Sequence, residues 1–389
     1  MTEMTFGRRP GSLFSELPAL EKWWRSIDQW TLGAVGALFV VGMVLGLAAS
    51  PPLAEKNGLP YFHYVIRQAV FGVMALGGMV ALSLAEPAQL RRLSVLGFLV
   101  AFAAVLMLPV FGTDFGKGAT RWFSLGFASV QPSEFLKPVF VVTCAWLLAA
   151  GQQKNGPPGA LLSAGLAAAV AGALALQPDF GQASLILGVW GAMYFAAGAP
   201  ILLILALGAA VIGAGFAAYN LSAHFARRID AYLSPELDPL TQLGFATDAI
   251  LTGGLFGVGV GEGRVKWSLP DAHTDFIIAV AAEEYGLVFC LLILGLFLFV
   301  VLRSMLRLLG ERDAFTRLAG LGLAALFGAQ ALINMGVAIR LFPAKGMTLP
   351  LVSYGGSSVL AVGAGLGMLL AFTRRRSRID PEALFGGSK

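Results

Sequence analysis

The sequence predicts an all-α integral membrane protein of about ten transmembrane helices, with both termini cytoplasmic and a large extracytoplasmic loop between spans 7 and 8. Three observations carry this. Only 13% of the 389 residues are charged and 57% are hydrophobic, for a mean hydropathy of +0.77, whereas a soluble chain carries roughly 25% charged residues. The apolar residues gather into runs long enough to span a bilayer, about 17–25 residues each. Clusters of Pro, Gly and charge separate those runs.

Residues 1–29 form a polar tail with Arg8, Arg9, Lys22 and Arg25. The run after it is long enough to stay in the bilayer, so no cleavable leader is expected. Span one covers 30–50 and ends at Pro51-Pro52; spans two and three cover 68–85 and 93–112, joined by the basic pair Arg91-Arg92. A Gly-rich loop, 112–132, precedes span four at 133–151, and the breaker Asn155-Gly-Pro-Pro-Gly159 precedes span five at 160–176. No Asp, Glu, Lys or Arg occurs from Phe180 to Ala226, too long for one helix. Gly198-Ala-Pro200 divides that stretch into spans six (181–197) and seven (201–220). The polar, glycine-rich region 224–273 is the large loop. Spans eight, nine and ten follow at 274–302, 318–339 and 356–372, with a basic tail over 373–389. Domain organisation is thus a tail at 1–29, one membrane domain at 30–372 and a second tail.

Ten spans put both termini on one side. With that side cytoplasmic, 16 of the 27 Lys and Arg lie inside, mostly at span ends, as the positive-inside rule expects. The unusual loops all fall outside. The formal charge of +5 resides in loops and tails and suits lipid headgroups or phosphate; no basic–aromatic face suggests nucleic acid. Cys144 and Cys290 sit inside apolar runs, which points to packing rather than disulfide or metal. His63, His224 and His273 are scattered, with no zinc spacing and no hydrolase triad.

The chemistry-bearing residues lie in the outer loops, each with a bland reading beside a functional one. Leu269-Pro-Asp-Ala-His273-Thr-Asp275 meets an apolar run that then holds Glu283 and Glu284. Carboxylates at membrane depth are costly and read first as functional, with a partner nearby. Arg121 and Trp122 suit phosphate and a sugar face, or only the membrane interface. Glu134 and Lys137, at i and i+3, are a structural pair or the lining of a polar cavity. Gln177-Pro-Asp179 and Gln242 read as caps and turns or as ligand contacts. Glycines 253, 254, 257, 259, 261 and 263 imply close backbone approach with exposed N–H groups; no strand–helix unit surrounds them, so a nucleotide fold is excluded. Arg264 and Lys266 follow, facing an anionic ligand on the functional reading. Lys345, Ser353, Tyr354, Ser357 and Ser358 open the last span, as small-residue helix packing or as sugar and phosphate contacts. A carboxylate among Arg121, Lys137, Arg264, Lys266, Arg340 and Lys345 suits group transfer with an anionic leaving group. A proton relay in a transporter would use similar residues.

Several motifs together resemble the SEDS (shape, elongation, division and sporulation) family. They are Gly118-Ala-x-Arg-Trp122, Gln131-Pro-Ser-Glu-Phe-x-Lys137, Gln177-Pro-Asp-Phe-Gly181, Leu269-Pro-x-Ala-His-Thr-Asp-Phe-Ile277, Glu283-Glu284, Pro343-x-Lys-Gly-x-Thr-Leu-Pro350 and Ser353-Tyr-Gly-Gly-Ser-Ser358. The Ala-Ala-Ser-Pro end of span one and Gly261-Glu-Gly-x-Val-Lys266 resemble the cell-division branch more than the elongation branch. The resemblance implies a ten-span peptidoglycan glycosyltransferase of the bacterial inner membrane. It would polymerise lipid II, an undecaprenyl-pyrophosphate disaccharide pentapeptide, at the outer face. Asp275 matches the family's essential Asp and would act as base in an inverting transfer; Arg121, Lys137 and Lys345 would face the pyrophosphate. No organic cofactor is implied. A divalent cation such as Mg2+ or Mn2+ would help by the same electrostatics, although no ligand set is visible. Partners implied are a class B penicillin-binding transpeptidase and other divisome membrane proteins. The chain departs from the family pattern at Ile278, Asp271 and Thr247-Asp248. Two other readings remain: a lipid II flippase, kept alive by Lys137, Glu283 and Glu284, and a scaffold, which leaves the outer acid–base cluster without a task.

Overall fold

The structure is a computed structural model that describes residues 19–113, 120–124, 126, 129–234, 241–269, 271–343 and 346–375. It is almost wholly helical. The first elements are α1 (Ala19–Ser26), α2 (Gln29–Ala49), α3 (Pro51–Lys56), α4 (His63–Leu84) and α5 (Pro87–Phe111). A short hairpin, β1 (Phe123–Ser124) and β2 (Ser129–Val130), leads into α6 (Pro132–Gly151), α7 (Gly159–Leu176), α8 (Phe180–Ala196) and α9 (Ile201–Leu221). Then come α10 (Ala223–Leu233), α11 (Gln242–Gly253), α12 (Val265–Ser268), α13 (Ile277–Leu309), α14 (Ala314–Ala338) and α15 (Gly356–Phe372). Among the described residues, eight helices are long and apolar enough to cross a membrane, and α8 and α15 are shorter apolar helices of 17 residues. The chain is therefore a multi-pass membrane protein.

The apolar runs become helices because a bilayer leaves backbone N–H and C=O groups no partners but each other. Their boundaries follow local chemistry. Helix α5 starts at Pro87 rather than 93, because Glu86 and Gln89 form a capping box and proline suits the first helical position. Helix α4 likewise begins earlier than expected, at His63. Helix α13 starts later than expected, at Ile277, because 271–276 is a tight turn in which Asp271 adopts φ +56°. Helices α6 and α14 are largely buried and form the centre. Helix α9 has no buried residue and stands at the margin. The large loop is not merely polar coil: it contains α10, α11 and α12.

Helix α13 is broken at Gly286 (φ 82°, ψ 178°), a conformation essentially restricted to glycine. The glycine-rich loop plugs the break. Leu287 and Val288 N–H groups donate to Gly254 and Leu255 C=O (2.9 and 3.2 Å), and Val258 N–H donates to Glu283 C=O (2.9 Å). A Cβ on residue 286 would stand 2.4 Å from the Leu255 oxygen. Gly286→Ala is therefore expected to cost at least about 1–3 kcal/mol, visible as a lowered melting temperature and a smaller monodisperse yield in detergent.

Both described termini meet at one end of the bundle. Trp23 Nε1 donates to Ser83 Oγ (2.8 Å), Arg375 N–H to Ser26 C=O (2.9 Å), and Arg374 reaches Ser26 Oγ and the Ser83 and Leu84 carbonyls. Asp28, buried, binds Arg303 Nε (2.6 Å) and Arg307 Nε (2.9 Å) and accepts from Thr31 (3.0 Å). Burial pushes its carboxyl up, but the hydrogen bonds from Arg303 and Thr31 and the charges of both arginines outweigh it and hold the group below the usual range. Its contribution to stability is thus complete above the unfolded carboxylate range and is lost as pH falls through the lowered folded value. Asp28→Asn leaves two arginines uncompensated at neutral pH. The expected loss is about 1.5–3 kcal/mol, checked by thermal melting in detergent at pH 7.

Candidate active site

At the opposite end of α4, α13 and α15 lies an open cavity of about 440 Å³, within the range of small-molecule sites. Arg67, Phe71, Arg121, Trp122, Glu134, Asp271, His273, Asp275, Thr348, Tyr354 and Ser358 are among its walls. Five separate segments supply them, with Glu134 coming from the first turn of α6. The 271–276 turn ahead of α13 presents Asp275, α4 presents Arg67, the hairpin arm presents Arg121 and Trp122, and the 346–358 segment closes the remaining side.

Asp275 precedes the regular helix, so helical periodicity does not place it. Its N–H donates to Asp271 C=O (3.0 Å) and its own C=O accepts from Asn334 Nδ2 (2.9 Å). A Cβ added to Gly346 would stand 3.3 Å from Asp275 Oδ2, so the glycine lets the chain approach the carboxylate. Ser353 accepts from Leu349 N–H (3.0 Å) and donates to Thr274 C=O, and Tyr354 N–H donates to His273 C=O (2.9 Å). The rings of Tyr64, His273 and Tyr354 form an aromatic triangle with centroids 5.4–5.8 Å apart. Burial pushes the Tyr354 phenol up, and Arg67 pulls it back.

Arg121 is held from behind. Its Nε donates to Gln177 C=O (3.2 Å), a terminal nitrogen donates to Pro178 C=O, and Asp179 Oδ2 lies 3.9 Å away. Burial pushes the Asp179 carboxyl up against the pull of Arg121. Gln177 Nε2 binds Val105 C=O (2.7 Å), and Asp179 caps α8 through Gln182 N–H. Glu134 accepts from Gln182 Nε2 (2.7 Å) and Lys137 Nζ (2.8 Å), and the same ammonium donates to Gln330 Oε1 (2.9 Å). Lys137 is 3% exposed and does not line the main cavity; only Glu134 of that pair does. Ser357 accepts from Gln131 N–H (3.4 Å), and Ser358 shares a hydrogen with Thr348 Oγ1 (2.6 Å).

The remaining candidates stand elsewhere. Glu283 accepts from the N–H groups of Arg264 (2.7 Å) and Val265 (3.0 Å), and Glu284 binds Gly261 N–H (3.0 Å) and pairs with Lys266. The glycine-rich loop does offer N–H groups to an anion, but that anion is the chain's own carboxylate pair. Glu284 thus pairs within that loop. Lys266 is buried in this pair, while Arg264 and Gln242 are exposed and away from the cavity. Lys345 lies outside the described residues. The sequence reading missed Arg67, Gln330, Asn334 and Tyr64 as site residues. The signal for the two amides was present: polar side chains four residues apart in an apolar span.

A family model described as "Cell cycle protein", covering the FtsW, RodA and SpoVE group, matches residues 29–378. The chain belongs to this family. It is 42% identical over 359 residues to the probable peptidoglycan glycosyltransferase FtsW of Caulobacter vibrioides, covering 92% of each chain. It is 37% identical over 351 residues to the FtsW of Trichlorobacter lovleyi, covering 86% of this chain and 90% of that one. These relatives agree with the division-branch resemblance. Two solved structures share the fold. One belongs to a study titled "Structural coordination of polymerization and crosslinking by a peptidoglycan synthase complex", with TM-score 0.73 and 30% identity over 89% of this chain and 97% of that one. The other is the rod shape determining protein RodA of Thermus thermophilus, with TM-score 0.66 and 28% identity over 90% and 97%.

Proposed function

We propose that the chain is a peptidoglycan glycosyltransferase of the FtsW kind that polymerises lipid II in this cavity. The observation that carries the reading is the sharing of one cavity by a carboxylate, Asp275, and two guanidinium groups, Arg67 and Arg121. The Asp275 carboxylate takes the proton from the acceptor sugar's 4-hydroxyl. The oxygen attacks the anomeric carbon of an α-linked donor from the opposite face, and the bond to pyrophosphate breaks with inversion. Arg67 and Arg121 stabilise the charge that develops on the departing pyrophosphate. Trp122 and the aromatic triangle offer flat apolar faces to sugar rings. By resemblance Lys345 joins the cations. Among the described residues no three His, Cys, Asp or Glu side chains converge to hold a metal, so no step is routed through a divalent ion.

The cavity lies at the end opposite the termini. With basic residues concentrated at the terminal end, this supports cytoplasmic termini and an extracytoplasmic site, in ten spans over 30–372 with tails at 1–29 and 373–389. We place the chain in the bacterial inner membrane at the division septum, with a class B penicillin-binding transpeptidase and other divisome proteins as partners; the FtsW relatives and the synthase-complex neighbour support this reading. The mutual pairing of Glu134 and Lys137, and of Glu284 and Lys266, removes the reason for reading these groups as an ion path. The test is to reconstitute the purified chain with its transpeptidase in liposomes carrying labelled lipid II. Glycan polymer is the expected product. Lipid translocation without polymer would replace the reading with a transporter.

A further inference from the structure

Three successive carbonyls of the turn that carries Asp275 are each held by a different donor. His273 C=O accepts from Tyr354 N–H, Thr274 C=O from Ser353 Oγ, and Asp275 C=O from Asn334 Nδ2. The first two donors come from one segment. The third comes from α14, and of the three it is the one that binds the carbonyl of Asp275 itself. Asn334 is 2% exposed, and its Nδ2 also donates to Met347 C=O (2.6 Å). One amide nitrogen therefore ties the Asp275 turn to the segment that bears Gly346, the residue against which Asp275 Oδ2 rests. Among the described residues, the buried Asn334 Oδ1 has no hydrogen-bond partner. Flipping it would set an oxygen against two carbonyl oxygens, so its orientation is fixed by the two segments it joins. Four residues earlier on the same helix, Gln330 does a related job, with Nε2 on Thr348 C=O (3.2 Å) and Oε1 on Lys137.

We infer that Asn334 is a positioning residue for the reaction. It sets the place of the Asp275 carboxylate through the Asp275 and Met347 carbonyls, and touches no reacting atom. This rests on the assignment of Asp275 as the base. Its consequence falls on kcat more than on KM, because the substrate-binding walls that Arg67, Arg121 and Trp122 supply are not attached to this amide. A displacement of about 1 Å in a reacting group costs about 10²-fold.

The test compares Asn334→Ala and the nearly isosteric Asn334→Asp with wild type, in the full chain with its transpeptidase partner. The readouts are kcat and KM for lipid II per folded molecule, and the melting temperature. A fall in kcat of about 10²-fold with KM changed less than threefold supports the inference. A merely structural role would lower the melting temperature and folded yield and leave kcat per folded molecule unchanged, which overturns it. If Asn334→Ala does not fold, Asn334→Asp decides by the same criterion, since it keeps the volume and removes the amide that bridges the two carbonyls, a protonated acid having one hydrogen to offer them. Asp275→Ala is run alongside. Its retention of polymerisation would overturn the base assignment itself, whereas its loss, with kcat intact in the Asn334 variants, would overturn only the role of Asn334.

Discussion

Asp275→Asn is expected to abolish glycan polymerisation, by at least about 10²–10⁴-fold, the range that a general base contributes. The substitution keeps the shape of the side chain beside Gly346 and removes its negative charge and with it the ability to take a proton. Binding of lipid II should persist, because the cations that face its pyrophosphate remain in the cavity. The measurement is polymer length and yield from labelled lipid II, together with a binding isotherm for the same lipid. Polymerisation at the wild-type rate would remove Asp275 from the mechanism.

The second large effect is expected at Arg121. Arg121→Ala should lower kcat by about 10²–10³-fold, as when one donor to a developing charge is removed. It should also loosen the Gln177–Pro178 turn, whose two carbonyls the guanidinium holds. Arg121→Lys is not expected to rescue activity. A lysine offers a point charge, whereas this site uses a planar fork that binds two carbonyls while facing the cavity. Full activity in Arg121→Lys would show that charge alone matters there.

The spans were legible because a bilayer forces apolar runs into helices, and Asp275 was legible because a carboxylate at the mouth of such a run needs a reason. Arg121, Trp122, Glu134, His273, Tyr354 and Ser358 were named from sequence, and the fold brings them to the same cavity. What was not legible was pairing at long range. Glu283 and Glu284 stood out for the same reason as Asp275, yet their partners are the backbone and lysine of a loop about 20 residues earlier that folds back into the break at Gly286. Lys266 was read as facing a ligand because nothing local shows that a carboxylate covers it. Arg67 escaped notice because an arginine at the end of a span usually snorkels to the interface. The packing of α4 against α15 turns it into a cavity residue.

The central claim is that lipid II reacts in the cavity shared by Asp275, Arg67 and Arg121. A structure of the Asp275→Asn chain with bound lipid II tests it most directly. The expected density places the pyrophosphate between Arg67 and Arg121 and an acceptor hydroxyl within about 2.6–3.2 Å of residue 275. Lipid II bound with its pyrophosphate remote from both arginines, or at the end of the bundle that carries the termini, would contradict it.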